Sequence, residues 1–108
     1  MVPEDDIIMS TDTRKLVTII TESALEHNLL DDIERLGAHG YTITNARGKG
    51  HRGVRDADWS TSSNIRVEVV CDAAVAKAIA GHFREHYYAN YAMILFMCDV
   101  DVVRPEKF

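Results

Sequence analysis

The residues best suited to bind a ligand lie in one glycine- and arginine-bearing segment, residues 48–62. Its glycines leave backbone N–H groups free to approach an anion closely: Gly48, Gly50 and Gly53. Its basic side chains add donors that suit phosphate or carboxylate: Lys49, His51, Arg52 and Arg55. The segment does not match the G-x-x-x-x-G-K-[ST] phosphate loop, and no helix is predicted after it. It therefore predicts anion binding without nucleotide hydrolysis; the alternative is a flexible hairpin loop with no ligand.

The histidines of a predicted helix form a second candidate site. His82 and His86 are four residues apart, so they share one helix face and provide half of a metal site. The alternative is a plain, partly exposed surface. Asp99 and Asp101 project to one side of a predicted strand, but no general acid or metal motif accompanies them. Because acid, base and nucleophile groups do not converge, we predict no enzymatic activity.

The first half of the chain predicts a strand, a helix and a second strand. Residues 14–21 are β-branched and apolar, which is typical of a strand. Residues 22–36 follow as a helix that Thr21 caps and that Gly37 or Gly40 ends. Its apolar residues recur at helical spacing: Leu25, Leu29, Leu30, Ile33 and Leu36. Its charged residues predict a solvated face: Glu22, Glu26, Asp31, Asp32, Glu34 and Arg35. Residues 41–47 alternate as a strand should.

The second half repeats this order after a long, mobile loop at residues 48–62. Residues 64–71 alternate with period two, and Asp72 caps a helix over residues 73–86, whose apolar stripe is Val75, Ile79 and Phe83. Residues 91–98 form a continuous apolar run, which predicts a central strand covered on both faces, and residues 99–103 continue the pattern until Pro105 stops it. Cys71 and Cys98 lie in apolar runs without CxxC spacing, so we expect both to be reduced and buried in the core.

The order β-α-β-loop-β-α-β predicts an α+β, ferredoxin-like fold, with a four-stranded antiparallel sheet and both helices on one face. The other face is left uncovered, so we expect oligomerisation. The 108 residues fit one domain at residues 14–104, with a disordered lead-in at 1–13 and a tail at 105–108. No apolar run is long enough to span a bilayer, and the acidic start lacks the basic region of a signal peptide. We expect a cytoplasmic protein.

Several protein classes use this fold, and the residues must choose among them. RNA-recognition domains need stacking aromatics, which residues 64–71 lack. The formal net charge of −5 also opposes binding to nucleic acid or to anionic membrane. Trimeric regulators and trimeric metal-binding proteins of the CutA type therefore remain, the latter through His82 and His86.

The sequence resembles the PII superfamily over residues 15–103, and one branch in particular. The resemblance is carried by Gly-Tyr-Thr at 40–42, Gly-Lys-Gly-His-Arg at 48–52 with Arg55, Ser-Asn-Ile-Arg-Val-Glu at 63–68, and Tyr-Tyr-Ala-Asn-Tyr-Ala at 87–92. The branch consists of PII-like proteins linked to bicarbonate transport and carboxysomes. The resemblance implies a homotrimer with its sheets turned inward and adenine nucleotides in the clefts between subunits. It also implies that the long loop, the T-loop, regulates a partner.

The resemblance assigns residues of three kinds to the nucleotide. They are a loop base around the phosphates, arginines that pair with phosphate charge, and residues that line the pocket: Gly48, Lys49 and Gly50; Arg52 and Arg55; and Asn64, Ile65, Tyr91 and Ala92. Bicarbonate would bind near the nucleotide through Arg52 or Arg55. No second basic loop of the Gly-Asp-Gly-Lys kind lies between residues 80 and 91, which favours AMP or ADP over ATP.

The resemblance also implies that the T-loop docks on a membrane transporter, which the branch suggests is a bicarbonate transporter. Trp59 would be the anchor at the tip, or alternatively an aromatic that packs the loop. The loop has no tyrosine, so uridylylation of the kind seen in nitrogen-type PII proteins is not expected. The chain also has no paired cysteines near its C-terminal end, so a redox-controlled tail is not expected.

Overall fold

The computed structural model describes residues 12–48 and 63–108. The strands are β1 (Asp12–Glu22), β2 (Thr42–Ala46), β3 (Asn64–Cys71) and β4 (Ile94–Val102), and the helices are α1 (Glu26–Arg35) and α2 (Ala73–His86). Short 3-10 turns at Ser23–Leu25 and Pro105–Lys107 precede α1 and follow β4. Residues 1–11 and most of the predicted loop lie outside the described residues. Asp12 and Thr13, predicted to belong to the disordered lead-in, are instead the first residues of β1. No helix in the described part of the chain is long and apolar enough to cross a membrane.

The strands form one antiparallel sheet in the order β2-β3-β1-β4. This order confirms the ferredoxin-like prediction. In the register, Val17 of β1 faces both Val69 of β3 and Met97 of β4. Because paired residues share a face and neighbours along a strand alternate, the register also sorts every strand residue to one side of the sheet.

One side, the covered face, packs against both helices. Its residues in the middle of β1 and β3 are fully buried: Val17, Ile19, Val67 and Val69. The apolar stripes of the helices meet them through Leu29 and Ile33 of α1 and Ile79 and Phe83 of α2, each also 0 % exposed. Full burial of one such side chain stabilises the fold by about 1.5–3 kcal/mol. The periodicity thus predicts the core correctly.

Neither α1 nor α2 packs on the other side, the open face. Ile94 and Phe96 of β4 lie there, opposite Ile20 and Thr18, and are 50 % and 47 % exposed. The prediction of a central last strand was wrong, because among the described strands β4 pairs with β1 alone and lies at the sheet edge. The prediction for Cys71 is confirmed, but Cys98 is exposed on the open face. An apolar run specifies composition, whereas the strand order decides which side chains are covered.

The ends of the two helices show one correct cap and one wrong one. Oδ1 of Asp72 accepts from the backbone N–H of Val75 at 2.8 Å, which confirms the predicted cap of α2. Thr21 does not cap α1, because β1 continues to Glu22 and the Thr21 side chain points into the core, 1 % exposed. Its hydroxyl has no hydrogen-bond partner within the described ranges. Of the predicted stop signals, Gly37 is the one that ends α1, with φ of 112°, a conformation that favours glycine.

Candidate functional site

The segments predicted to bind the nucleotide meet at one end of the sheet. Asn64, the first residue of β3, is paired with Ala46 at the end of β2 and with Glu22 at the end of β1. The N–H of Ser23 also donates to the carbonyl of Ser63. The start of β4 lies at the same end, because Ile94 is paired with Ile20. We call this region, where the chain leaves and re-enters the sheet around residues 47–63, the loop end.

The predicted loop-base and pocket residues on the β2–β3 side differ in accessibility. Gly48 is exposed. A Cβ added there would have no described atom within 4 Å, apart from those of the two adjacent residues. Asn64 is 8 % exposed. The Ile65 side chain is 2 % exposed and belongs to the core of the covered face, so only its backbone can face a ligand. The remaining predicted residues lie outside the described residues: Lys49, Gly50, Arg52, Arg55 and Trp59.

Tyr91 and Ala92 lie at the loop end but on the β4 side of β1. Two strand spacings, about 10 Å, therefore separate them from Asn64. Tyr91 is 37 % exposed, and its ring centroid lies 5.9 Å from that of Tyr87. The fold brings these residues to the same end of the sheet as Asn64 without forming one patch within this chain.

A groove on the open face was not predicted from the sequence. It has a volume of about 330 Å³, at the small end of the range for ligand pockets. Its walls combine aromatic, aliphatic, hydroxyl and charged side chains with one glycine: Leu16, Gly40, Tyr41, Thr42, Glu68, Val70, Lys107 and Phe108. Glu68 and Asn64 are four residues apart on β3, so the groove lies about 14 Å from the loop end.

The charged residues of the groove have opposite signs. Oε2 of Glu68 accepts from Nε and Nη2 of Arg66 at 3.3 and 3.2 Å, so a neighbour on the same face partly balances this carboxylate. Lys107 adds an ammonium group from the 3-10 turn after β4. The period-two pattern of β3 already places Glu68 and Val70 opposite the core. The return of residues 107 and 108 across the sheet has no local sequence signal.

A polar cluster between the two helices corrects the interpretation of Asp32 as part of a solvated face. Asp32 is 8 % exposed, and its Oδ2 accepts from the Tyr87 hydroxyl at 2.6 Å. Nε2 of His82 lies 3.1 Å from the same oxygen, and Arg35 pairs with Oδ1. Asp32 and Arg35 are three residues apart on α1, whereas Tyr87 and His82 come from the distant α2 region. The residue pattern of α1 therefore cannot predict that Asp32 contacts His82 and Tyr87.

The cluster shifts the titration of two groups. Burial by itself raises the pKa of Asp32, but hydrogen bonds from Tyr87 and His82 and the charges of His82 and Arg35 outweigh it, so the net pKa lies below its usual value. Burial and the Asp32 carboxylate both raise the pKa of Tyr87. Asp32 is therefore ionised and Tyr87 is a hydrogen-bond donor at neutral pH.

The two histidines of the candidate metal site are close together. Their ring centroids are 4.4 Å apart, and His82 contacts Asp32. Within the described ranges, no group of three His, Cys, Asp or Glu side chains has the arrangement of a metal site. The described residues therefore add no further ligand to the half metal site that the spacing of His82 and His86 predicted.

Comparison with known proteins identifies the family. Residues 14–107 match the family described as nitrogen regulatory protein P-II. The chain belongs to the P-II family. A structure of a PII-like signalling protein from Thermus thermophilus, TTHA0516, is similar with 47 % identity and a TM-score of 0.79, covering 93 % of this chain and 99 % of that one. P-II proteins are regulators and not enzymes, which agrees with the prediction.

More distant structures share the fold and were solved with ligands. CPII, a nitrogen regulatory PII-like protein from Thiomonas intermedia K12, has 25 % identity and a TM-score of 0.80, covering 93 % of this chain and 97 % of that one. It was bound to ADP, AMP and bicarbonate. A second CPII structure, also at 25 % identity and a TM-score of 0.80, covers 93 % of this chain and 98 % of that one, and was bound to ADP and bicarbonate.

Proposed function

We propose that this P-II protein is a cytoplasmic signal-transduction protein that binds AMP or ADP between the subunits of a homotrimer. The observation that carries the proposal is the groove on the open face, about one short strand away from the loop end. Such an arrangement suits an elongated ligand with a flat, uncharged part and an anionic part. The ADP and AMP in CPII, which has the same fold, support this class of ligand.

The groove is proposed to hold the purine base. Tyr41 and Phe108 provide aromatic surface, and Thr42 and Glu68 provide acceptors for an exocyclic amino group. The phosphates would then point to the loop end, where Gly48, Lys49 and Gly50 would surround them and Arg52 and Arg55 would pair with their charge. Asn64 and the backbone of Ile65 would line the passage between the two parts.

The open face is the proposed trimer interface. Apolar side chains that are half exposed, such as Ile94 and Phe96, lie side by side there with Cys98. Surfaces of this kind usually mark interaction sites, and closed symmetric oligomers are the usual solution. Tyr91 and Ala92, on the β4 side of the sheet, would contact the nucleotide of the neighbouring subunit across the seam.

The regulated partner is proposed to be a membrane transporter, and specifically one for bicarbonate. The resemblance to the bicarbonate-linked branch and the bicarbonate bound to CPII support this assignment. Arg52 or Arg55 would pair with bicarbonate, and Trp59 would anchor the T-loop on the transporter. Ordering a loop residue costs about 1–2 kcal/mol of conformational entropy. Contacts with the ligand would offset part of that cost and so favour the ordered loop conformations.

Titration calorimetry with AMP, ADP, ATP and cyclic AMP, each with and without bicarbonate, tests the proposal. Arg52→Ala and Arg55→Ala should each weaken nucleotide binding at least about tenfold, because a hydrogen bond to a charged group contributes about 1.5–3 kcal/mol. Lys77→Ala is the control, because it removes an exposed positive charge on α2 outside the site. Unchanged affinity in both arginine variants, or equal weakening in the control, contradicts the phosphate assignment.

A further inference from the structure

Tyr87 connects both helices to the segment that precedes β4. It is 9 % exposed and follows the last residue of α2. Its hydroxyl donates to Asp32 on α1 at 2.6 Å. Its backbone carbonyl accepts from the N–H groups of Asn90 and Tyr91 at 3.1 and 3.0 Å. The same residue therefore anchors a helix on one side and a turn on the other.

The aromatic ring of Tyr87 adds packing to these hydrogen bonds. Its centroid lies 5.1 Å from that of Phe83, edge-on in the core, and 5.9 Å from that of Tyr91. Edge-to-face contacts in this range favour one ring orientation. Residues 88–92 are themselves exposed or half-buried, and the next buried residue is Met93, 8 % exposed. Tyr87 and Met93 thus hold the two ends of a short, accessible connection.

Asp32 is well placed to fix Tyr87, because it is itself held. An ionised carboxylate accepts about four hydrogen bonds, and here donors approach from three residues, Tyr87, His82 and Arg35. Because Asp32 is only 8 % exposed, water can replace few of these hydrogen bonds. Loss of the Tyr87 hydroxyl would leave a buried charge short of one donor and would free the ring to rotate.

We propose that Asp32 is a positioning residue that acts through Tyr87 on Tyr91 and Ala92 and so sets the affinity for nucleotide. This inference rests on the proposed function, in which Tyr91 and Ala92 contact the ligand of the neighbouring subunit. The inference adds to the proposed site a carboxylate on α1, Asp32, that lies behind Tyr87 and touches no ligand itself.

The first test compares Tyr87→Phe with Tyr88→Phe. Each removes one hydroxyl from adjacent tyrosines, but Tyr88 is 42 % exposed and serves as the matched control. Calorimetry with ADP, at a temperature where each variant is fully folded, should show about three- to tenfold weaker binding for Tyr87→Phe and no change for Tyr88→Phe. A lower melting temperature with unchanged ADP affinity would mean that the bond only supports the fold, and overturns the inference.

A double-mutant cycle with Asp32→Ala separates positioning from general damage. If Asp32 acts through Tyr87, the variant with both Asp32→Ala and Tyr87→Phe should bind ADP no more weakly than the single variant with the lower ADP affinity. Additive losses overturn the inference. Absence of ADP binding in the unaltered protein would instead reject the proposed function itself.

A second readout needs no ligand. The amides of Asn90 and Tyr91 donate to the Tyr87 carbonyl, so their hydrogen exchange reports the local order of the connection. Tyr87→Phe should accelerate exchange at both amides severalfold relative to Tyr88→Phe, while amides in the middle of β3 stay protected. Equal exchange in the two variants overturns the positioning role whatever the nucleotide data show.

Discussion

The two faces of the sheet have similar numbers of apolar strand residues but different partners. On the covered face, Val17, Ile19, Val67 and Val69 are fully buried beneath helices of the same chain. On the open face, Ile94 and Phe96 are about half exposed, and the candidate groove lies at the β2 side of that surface. The covered face accounts for the fold of the subunit. The open face has the apolar surface and the concavity that assembly and ligand binding require.

The largest difference between the faces is expected from removing a phenylalanine of α2 that packs against the covered face. Phe83→Ala opens a cavity beneath α2, and large-to-small changes of this kind cost about 3–5 kcal/mol. Urea denaturation followed by far-UV circular dichroism should show that loss at every protein concentration. Phe96→Ala is the matched change on the open face, and its effect should depend on concentration because assembly is linked to stability. Similar, concentration-independent losses would contradict the division between the faces.

The next effect concerns assembly rather than the subunit fold. Phe96→Glu places a carboxylate in the proposed interface, where losing an aromatic anchor alone costs about 2 kcal/mol or more per subunit. Light scattering after size exclusion should give the mass of one chain for this variant and of a trimer for the unaltered protein. Tyr88→Glu, an exposed aromatic outside the strands, should leave the trimer intact. A trimeric Phe96→Glu protein would place the interface elsewhere.

A smaller effect is expected where the chain enters α2. Asp72→Ala removes the side-chain acceptor of the Val75 N–H and should lower the free energy of unfolding by about 1 kcal/mol. Asp72→Asn keeps an oxygen in the same place and should lose much less. Thermal denaturation of the two variants measures the difference. If both lose the same amount, the charge rather than the cap stabilises the covered face here.

The smallest effect should come from an ion pair that links β1 to the edge strand. Nζ of Lys15 lies 2.6 Å from Oδ1 of Asp99, and the side chains are 35 % and 65 % exposed. Exposed pairs contribute between about 0 and 1 kcal/mol and are screened by salt. Lys15→Met should therefore change the melting temperature little, and even less at high salt. A large loss would indicate that this pair, and not the open face, holds β4.

Local patterns predicted much of the fold correctly. The bounds of β3 and α2, the Asp72 cap and the apolar stripes of both helices agree with the structure, because each depends on neighbours within about two turns or one strand. The order of elements was sufficient to predict the ferredoxin-like sheet. The helical stop at Gly37 was one of two predicted alternatives, and its positive φ decides between them.

The sequence by itself determined which residues form strands and helices, which stripe of each helix is apolar, and where a basic, glycine-bearing segment interrupts the pattern. The tertiary structure alone decided that β4 lies at an edge, that Asp32 is buried against Tyr87 and His82, and that Lys107 and Phe108 return to line a groove with Thr42 and Glu68. The reason is that periodicity reports contacts between residues close in sequence. Burial of a charge and the shape of a groove depend instead on segments that only the folded chain brings together.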